Sequence, residues 1–231
     1  MRGITFVIYG ASSDIISSVF KEFEDSNFVS LINITEPVYK KGKVINTNDS
    51  EYLHNLQKIL AEVNKSDTLV YLNAAVFQKD ELFVSHDDDD IEKMIDVGIT
   101  KNLFITQVLL QEMVKRRKGR IIHLSSFRAF APTKGTVIYS AIKAFTNAFS
   151  NGAGLEYGRF DITSNIISIG FAQSKLLESL GDEKLKLFKK SISKNKFLPP
   201  IEFTNSIRFL IQSSYINSSI LDLEGGIHYI E

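Results

Sequence analysis

The stretch Ile4-Thr5-Phe6-Val7-Ile8-Tyr9 ends at Gly10, and a segment with helical spacing begins at Asp14. A short run of β-branched and aromatic residues that stops at a glycine is typical of a buried strand. From Asp14 to Asp25, apolar residues recur at the three- and four-residue spacing of an amphipathic helix. The chain therefore opens with a strand, a tight turn and a helix.

The same alternation continues along the rest of the chain. Further apolar runs predict strands at residues 29–34, 43–45, 68–72, 120–124, 162–169 and 220–223. Segments with helical periodicity lie at residues 51–63, 91–117, 136–157, 176–193 and 200–212. Continuous apolar strands that alternate with helices indicate a parallel sheet covered on both faces. We therefore expect an α/β fold: a single-domain, Rossmann-like, doubly wound parallel sheet of about seven strands, flanked by helices, over residues 1–231.

Composition restricts the class of function. Lys+Arg and Asp+Glu both total 27, so the formal net charge is zero, without the basic excess expected of a nucleic-acid or anionic-membrane binder. No apolar run reaches the ~18 residues that a membrane helix needs. The chain has no cysteine, which excludes disulfides and cysteine nucleophiles and fits a reducing compartment. We expect a cytoplasmic protein with no nucleic-acid or membrane partner.

A phenol and an ammonium group lie four residues apart in Tyr139-Ser140-Ala141-Ile142-Lys143, on one face of a predicted helix. A free tyrosine titrates near ~10, and we expect the neighbouring cation to lower the pKa of Tyr139. Ser126 lies just past the fifth predicted strand, where its hydroxyl can hydrogen-bond a substrate oxygen. Ser126, Tyr139 and Lys143 together indicate acid–base chemistry on a C–O group, with hydride moving to or from a cofactor.

From Ile4 to Tyr229 the order of motifs resembles the short-chain dehydrogenase/reductase family. The turn Gly10-Ala11-Ser12-Ser13-Asp14 resembles the family's glycine-rich cofactor turn, and Leu72-Asn73-Ala74-Ala75 resembles its Asn-Asn-Ala-Gly motif. Ile169-Gly170, with Ser174 after it, resembles the Pro-Gly and following Thr that contact the nicotinamide.

The resemblance implies an NAD(P)-dependent oxidoreductase that acts on a small carbonyl or alcohol substrate. It implies that Tyr139 is the general acid–base, that Ser126 positions the substrate oxygen, and that Lys143 activates the tyrosine and binds the cofactor ribose. It also implies a homodimer or homotetramer that pairs through the helices at 91–117 and 136–157. The implied cofactor-binding residues are Gly10, Ser12, Ser13, Asp14, Ile15, Thr35, Asn46, Asn73, Ala74, Ala75, Tyr139, Lys143, Gly170 and Ser174.

The chain departs from the family pattern at two places. The family turn Thr-Gly-x-x-x-Gly-x-Gly reads here Tyr9, Gly10, Asp14 and Ile16, so only its first glycine remains. Gly98 stands where the family often has a fourth catalytic residue, an asparagine, and we expect Gly98→Asn to raise turnover. Two alternatives stay open: a non-catalytic member that acts as a binding or assembly partner, and a dehydratase or epimerase that uses the same tyrosine.

The cofactor preference depends on the end of the second strand. Ile34 stands where an acidic residue would bind a ribose 2′-hydroxyl and repel a 2′-phosphate. Thr35 and Ser13 can hydrogen-bond a phosphate, and Lys40 or Lys41 can reach it. The sequence therefore favours NADP over NAD.

Three further features complete the expectations. The run Asp87-Asp88-Asp89-Asp90 precedes a predicted helix, so we interpret it as a helix cap and expect no metal site. Residues 174–197 are the least regular segment and are predicted to form a substrate lid. Phe127, Arg128 and Phe130 lie beside the predicted pocket.

Overall fold

A computed structural model describes residues 3–32, 42–173, 177 and 181–227. In these residues the strands form one seven-stranded sheet in the order β3-β2-β1-β4-β5-β6-β7, and each neighbouring pair is parallel. The strands are β1 (Ile4–Tyr9), β2 (Asn27–Ile32), β3 (Lys43–Asn46), β4 (Thr68–Asn73), β5 (Gly119–Ser126), β6 (Ile162–Ile169) and β7 (Ile220–Leu223). The predicted doubly wound parallel sheet is therefore confirmed.

The helices connect consecutive strands of the sheet. They are α1 (Asp14–Glu22), α2 (Tyr52–Glu62), α3 (Asp88–Ile95), α4 (Lys101–Arg116), α5 (Val137–Tyr157), α6 (Asp182–Lys190) and α7 (Pro200–Gln212). The helix predicted at 91–117 is helical from Asp88 to Arg116, but a π-helical turn, Asp96–Thr100, lies within it and divides it into α3 and α4. None of the helices in the described part of the chain is both long enough and apolar enough to cross a membrane.

Helices cover both faces of the sheet, which explains why β1 is buried at every position and apolar at all but Thr5. Phe6 and Ile8 belong to the core beneath α1 and α7, together with Phe20 and Phe203. Val7 and Tyr9 point to the opposite core, which α2 and α4 cover. Successive side chains of a strand point to opposite faces, so a strand between two helical layers needs apolar residues throughout.

The strand order places a crevice between β1 and β4. After β1 the chain moves outward through β2 and β3, and then returns to place β4 on the other side of β1. In such sheets ligands bind outside the carboxyl ends of the strands where the order reverses. The turns after Tyr9 and Asn73 therefore face each other at this edge.

Candidate active site

Gly10 begins the turn after β1, and no other residue type fits its position. Its φ is +85°, and a Cβ there would lie 2.5 Å from the backbone nitrogen of Ala75 and 2.7 Å from the carbonyl carbon of Ala74. The backbone N–H of Gly10 donates to the carbonyl of Leu31 at 3.1 Å. The glycine therefore lets the turns after β1 and β4 touch at the point where the strand order reverses.

The first turn of α1 continues from this glycine. The backbone N–H of Ser13 donates to the carbonyl of Gly10 at 3.2 Å, and Ser13 is the N-cap, so Asp14 is the first helical residue and not the cap. Ile15 and Ile16 are buried in the core beneath the helix. Ile16 takes the place of a glycine by packing inward, so the helix still rests on the sheet.

Asn73 ends β4 and holds the turn that contacts Gly10. Its Oδ1 accepts a hydrogen bond from the backbone N–H of Ala75 at 3.2 Å, and its Nδ2 lies 3.2 Å from Nδ1 of His123 on β5. His123 is fully buried, and its ring meets Tyr71 and Phe149 edge-on. Burial, and secondarily the charge of Lys143, lower the pKa of His123 to about 3. The imidazole is therefore neutral and accepts the hydrogen bond of Asn73.

This pKa predicts a pH-dependent stability. An unfolded histidine titrates near ~6.5, so between about pH 3 and 6.5 the unfolded state binds more protons than the folded state. The stability from neutral His123 is present above that window and is lost as the pH falls. When the pH falls from 7 to 4.5, the free energy of unfolding of the wild type should drop. We expect that of His123→Asn to drop by about 2–3 kcal/mol less.

Urea unfolding at a series of pH values measures this difference. His54→Asn, at an exposed position of α2, is the matched control. Parallel pH profiles for the wild type and His123→Asn would contradict the prediction.

Ser126, Tyr139 and Lys143 meet at the carboxyl end of β5. Ser126 is the last residue of this strand rather than the first residue beyond it, because its pairing with β6 extends to Ile169. Ser126 lies close enough to the hydroxyl of Tyr139 to lower its pKa. Nζ of Lys143 lies 5.7 Å from the centroid of the Tyr139 ring and donates to the carbonyl of Leu124 at 2.9 Å. The structure thus brings together the three side chains that the sequence singled out.

The electrostatics of the tyrosine differ from the expectation. Burial raises the pKa of Tyr139, while the hydrogen bond with Ser126 and the charge of Arg128 oppose the rise. The expected lowering of the Tyr139 pKa is wrong for this structure, because loss of solvation outweighs the nearby positive charge. Burial also lowers the pKa of Lys143, to about 8. Both groups are thus held closer to their neutral forms than in water.

Gly98 lies in the π-helical turn, against α5. A Cβ at Gly98 would lie 2.5 Å from Cγ2 of Ile142, which is buried and precedes Lys143 in the chain. Ile142 thus occupies the space that a larger side chain at position 98 would need. Gly98→Asn alone is therefore no longer expected to raise turnover.

We expect Gly98→Asn alone to lower the free energy of unfolding by about 1–3 kcal/mol, because Ile142 is β-branched and packed. The double variant with Ile142→Ala should recover part of this loss, and we expect higher turnover only there. Denaturant unfolding and steady-state kinetics measure the two effects, with Ile142→Ala alone as the control. Full stability of the single variant would contradict the steric argument.

The remaining predicted cofactor residues are distributed along the same edge. Asn46 ends β3, is exposed, and its Oδ1 accepts from the backbone N–H of Asn48 at 2.9 Å. Gly170 follows β6, where a Cβ would lie 2.7 Å from Cδ1 of Ile227. Ser12 lies half-buried in the turn before α1. Thr35 and Ser174 lie outside the described residues.

The acidic run before α3 acts as a helix cap. A side-chain oxygen of Asp87 accepts from the backbone N–H of Asp90 at 2.8 Å, as expected of an N-cap. Within residues 3–32, 42–173, 177 and 181–227, no group of three or more His, Asp or Glu side chains is placed to hold a metal ion.

Two contacts at the site escaped the sequence analysis. One is the hydrogen bond between Asn73 and His123. The sequence held a signal for it, because a histidine in a buried strand needs a hydrogen-bond partner. The other joins Arg128, just after Ser126, to Asp80 in the loop after β4, with 3.5 Å between Nη1 and Oδ2. Nothing in the sequence around Asp80 indicates this pairing.

Comparisons with known proteins agree with this geometry. A family model described as short chain dehydrogenase matches residues 44–185. A 3-oxoacyl-acyl-carrier-protein reductase of Rickettsia bellii is 30% identical over 187 residues, which cover 80% of this chain and 76% of that protein. A reductase of the same name from Aquifex aeolicus is 27% identical over 97% of this chain and 88% of its own length.

The fold is also found among solved structures. A short chain dehydrogenase family protein from Francisella tularensis superimposes with a TM-score of 0.82 at 15% identity, covering 96% of this chain and 97% of that one. Three findings agree on one family: the crevice at Gly10, the arrangement of Ser126, Tyr139 and Lys143, and the family match over residues 44–185. The chain therefore belongs to the short-chain dehydrogenase family and is an NAD(P)-dependent oxidoreductase.

Proposed function

We propose that the chain reduces a carbonyl compound, or oxidises the corresponding alcohol, with Tyr139 exchanging the proton at the substrate oxygen. The observation that carries this proposal is that Ser126 lies close enough to the hydroxyl of Tyr139 to lower its pKa, with Nζ of Lys143 5.7 Å from the centroid of the Tyr139 ring. Two neighbouring hydroxyls can both hydrogen-bond a single substrate oxygen. The names of the relatives make 3-oxoacyl compounds the first substrate class to test.

The residues at the crevice fit a nicotinamide dinucleotide. Gly10 lets the turns after β1 and β4 touch at the reversal of strand order, and α1 begins four residues later, so the positive end of its dipole favours a phosphate. Asp14 in the first turn opposes that attraction. The cofactor, when bound, supplies or accepts the hydride. The proposed binding residues that the structure describes are Gly10, Ser12, Ser13, Asp14, Ile15, Asn46, Asn73, Ala74, Ala75, Tyr139, Lys143 and Gly170.

The side chains divide the proton chemistry between them. Ser126 holds the substrate oxygen, and Tyr139 donates its proton as negative charge develops on that oxygen during reduction. The raised pKa of Tyr139 keeps the phenol protonated and ready to donate at neutral pH. Lys143 holds the carbonyl of Leu124 at 2.9 Å, and from there its ammonium is proposed to bind the cofactor ribose and to stabilise the phenolate.

The preference for NADP remains part of the proposal. Ser13 lies at the start of α1, where its hydroxyl is proposed to donate a hydrogen bond to the 2′-phosphate. Ile34, Thr35, Lys40 and Lys41 lie outside the described residues. Thermal shift with NADPH and NADH separates the two cofactors. A ligand at ~100 times its Kd stabilises by about 2.7 kcal/mol, so a larger rise in Tm with NADPH is the expected result.

Turnover tests the proposal directly. We expect the chain with NADPH to reduce an acetoacetyl thioester or a related ketone, measured as loss of NADPH absorbance. The alternative, a non-catalytic binding partner, is supported by the space at Gly98 that Ile142 fills. Cofactor binding without turnover of any ketone or alcohol would favour that alternative.

The segment 181–197 is proposed to be the described part of a substrate lid. Ile192 and Phe197 form a small apolar cluster with Leu177, separate from the main cores. Phe188 stacks on Phe171, with ring centroids 4.6 Å apart, next to Gly170. Backbone hydrogen bonds from Ser193 to Gly226 at 2.7 Å and from Lys194 to Gly225 at 3.2 Å tie the segment to the loop after β7, so the proposed lid would move together with that loop.

Assembly through α4 and α5 is likewise proposed. A groove of about 860 Å³ runs between these helices, and Phe104 beside it is 48% exposed. Phe149 lines the groove and stacks on Phe145, and Leu110 also lines it but is buried. Light scattering that shows a dimer or tetramer at micromolar concentration would support the pairing. The cytoplasmic location remains a prediction.

A further inference from the structure

A positive charge lies beside the proposed acid–base pair. Arg128 occupies the one-turn 3-10 helix Phe127–Ala129, directly after the strand that ends at Ser126. Its backbone N–H donates to Oγ of Ser126 at 3.3 Å, which ties its position to that of the serine. Its side chain is 20% exposed, so the guanidinium is mostly enclosed but open to solvent on one side.

The guanidinium acts on the tyrosine hydroxyl from this position. Its charge is one of the two effects that lower the pKa of Tyr139 against the dominant effect of burial. Geometry gives the same placement, because Arg128 follows Ser126 by two residues and its backbone N–H donates to the serine hydroxyl. A substrate oxygen held by Ser126 and Tyr139 would therefore leave the rest of a small molecule beside Arg128.

The carboxylate that faces Arg128 is a weak partner. Asp80 contacts it at 3.5 Å through one oxygen, while the other oxygen of Asp80 accepts from Nε2 of Gln78 at 2.6 Å. The side chain of Asp80 is 50% exposed. Strong Arg–carboxylate pairs are bidentate at about 2.7–2.9 Å. Among the described residues this is the one side-chain hydrogen bond of the Arg128 guanidinium, so most of its five N–H donors are available to a ligand.

The neighbouring lysine does not compete for the same role. Lys79 precedes Asp80, forms an ion pair with Glu81 at 3.3 Å and pairs also with Asp90. The loop is held near α5 because the backbone N–H of Glu81 donates to the carbonyl of Gly135 at 3.1 Å. The loop thus presents Asp80 to Arg128 at the entrance of the site and keeps Lys79 engaged elsewhere.

We infer that Arg128 binds the carboxylate of the substrate, so that the preferred substrate is a small oxo acid whose ketone lies one or two carbons from a free carboxylate. The inference rests on the proposed function. The substrate carboxylate would take the place of Asp80 and form the bidentate pair that Asp80 does not, while the ketone oxygen meets Tyr139 and Ser126. This class differs from the 3-oxoacyl-acyl-carrier-protein compounds in the names of the relatives.

Acetoacetate and its methyl ester test the inference, since they differ only in the charge of the acid group. We expect wild-type kcat/KM to be higher for acetoacetate, and Arg128→Gln to lower it by about 10- to 100-fold for acetoacetate but less than threefold for the ester. Arg128→Lys should retain an intermediate value. Asp80→Asn should raise kcat/KM for acetoacetate, because a neutral amide competes less for the guanidinium.

Binding separates failure of this inference from failure of the proposed function. Acetoacetate is titrated into the protein with NADP⁺, where no reduction occurs, and the Kd is compared between the wild type and Arg128→Gln. A Kd at least tenfold weaker in the variant supports carboxylate binding even if no ketone is turned over. An unchanged Kd, or equal losses for acetoacetate and ester, would overturn it, although reduction of the ester would still support a carbonyl reductase.

Discussion

Tyr139→Phe is expected to lower the turnover of any ketone by about 10²- to 10⁴-fold, because it removes only the hydroxyl that exchanges the proton. The ring of Tyr139 packs against α3 and the π-helical turn, next to Met94, Ile138 and Ile142, and phenylalanine keeps that packing. The buried hydroxyl raises no folding problem when it is lost, since its partner Ser126 also accepts from the backbone N–H of Arg128. Steady-state kinetics with NADPH measure the loss.

Two measurements distinguish lost chemistry from lost structure. Tyr215→Phe makes the same change at a fully exposed position and should leave turnover unchanged. The rise in Tm with NADPH should be nearly the same for Tyr139→Phe and the wild type. Turnover within threefold of the wild type would show that Tyr139 is not the acid–base residue.

Gly10→Ala is expected to destabilise the fold by about 3 kcal/mol or more and to abolish the Tm rise with NADPH. A positive φ alone costs an alanine about 1–2 kcal/mol. The new Cβ would in addition lie 2.5 Å from backbone nitrogen and 2.6 Å from Cα of Ala75, and backbone atoms cannot move aside as a flexible side chain does. The turns after β1 and β4 would have to separate, which would open the crevice.

Gly135→Ala is the matched control for this change. Gly135 has a φ of +84°, close to the +85° of Gly10, but a Cβ there would meet its nearest atom at an ordinary 3.6 Å. Gly135→Ala should therefore show the cost of the dihedral angle alone, and Gly10→Ala should exceed it by about 2 kcal/mol. Chemical denaturation measures both, and equal losses would show that the contact with Ala75 relaxes freely.

Much of the fold followed from local pattern because strands and helices differ in the period of their apolar residues. The last two strands of the sheet and α7 lie at the predicted residues, and the turn at Gly10 was located from the sequence. The sequence did not predict the π-helical turn, because such a turn leaves the apolar spacing almost unchanged. The π-helical turn Asp96–Thr100 adds one residue to a helical turn, and the apolar pattern on either side still reads as one helix.

In the candidate site too, local spacing was predictable from the sequence and contacts between distant residues were not. Tyr139 and Lys143 were predicted to share a helical face because their four-residue spacing brings them there by local geometry alone. The partners Asp80 for Arg128 and Asn73 for His123 lie 48 and 50 residues away in the chain, so only the folded sheet brings them together. The expected role of Gly170 came from the resemblance to the family, because spacing alone does not supply it.

By itself, the sequence determined the class of fold, the edge of the sheet where the candidate site lies, and the residue types available there, since these depend on short-range periodicity and on strand direction. Only the tertiary structure decided how those residues behave. Burial, which no local pattern reports, raises the pKa of Tyr139 and lowers that of Lys143 to about 8. The contact of 2.5 Å between a Cβ at Gly98 and Ile142 likewise exists because the π-helical turn and α5 pack together, and it sets which substitutions the site accepts.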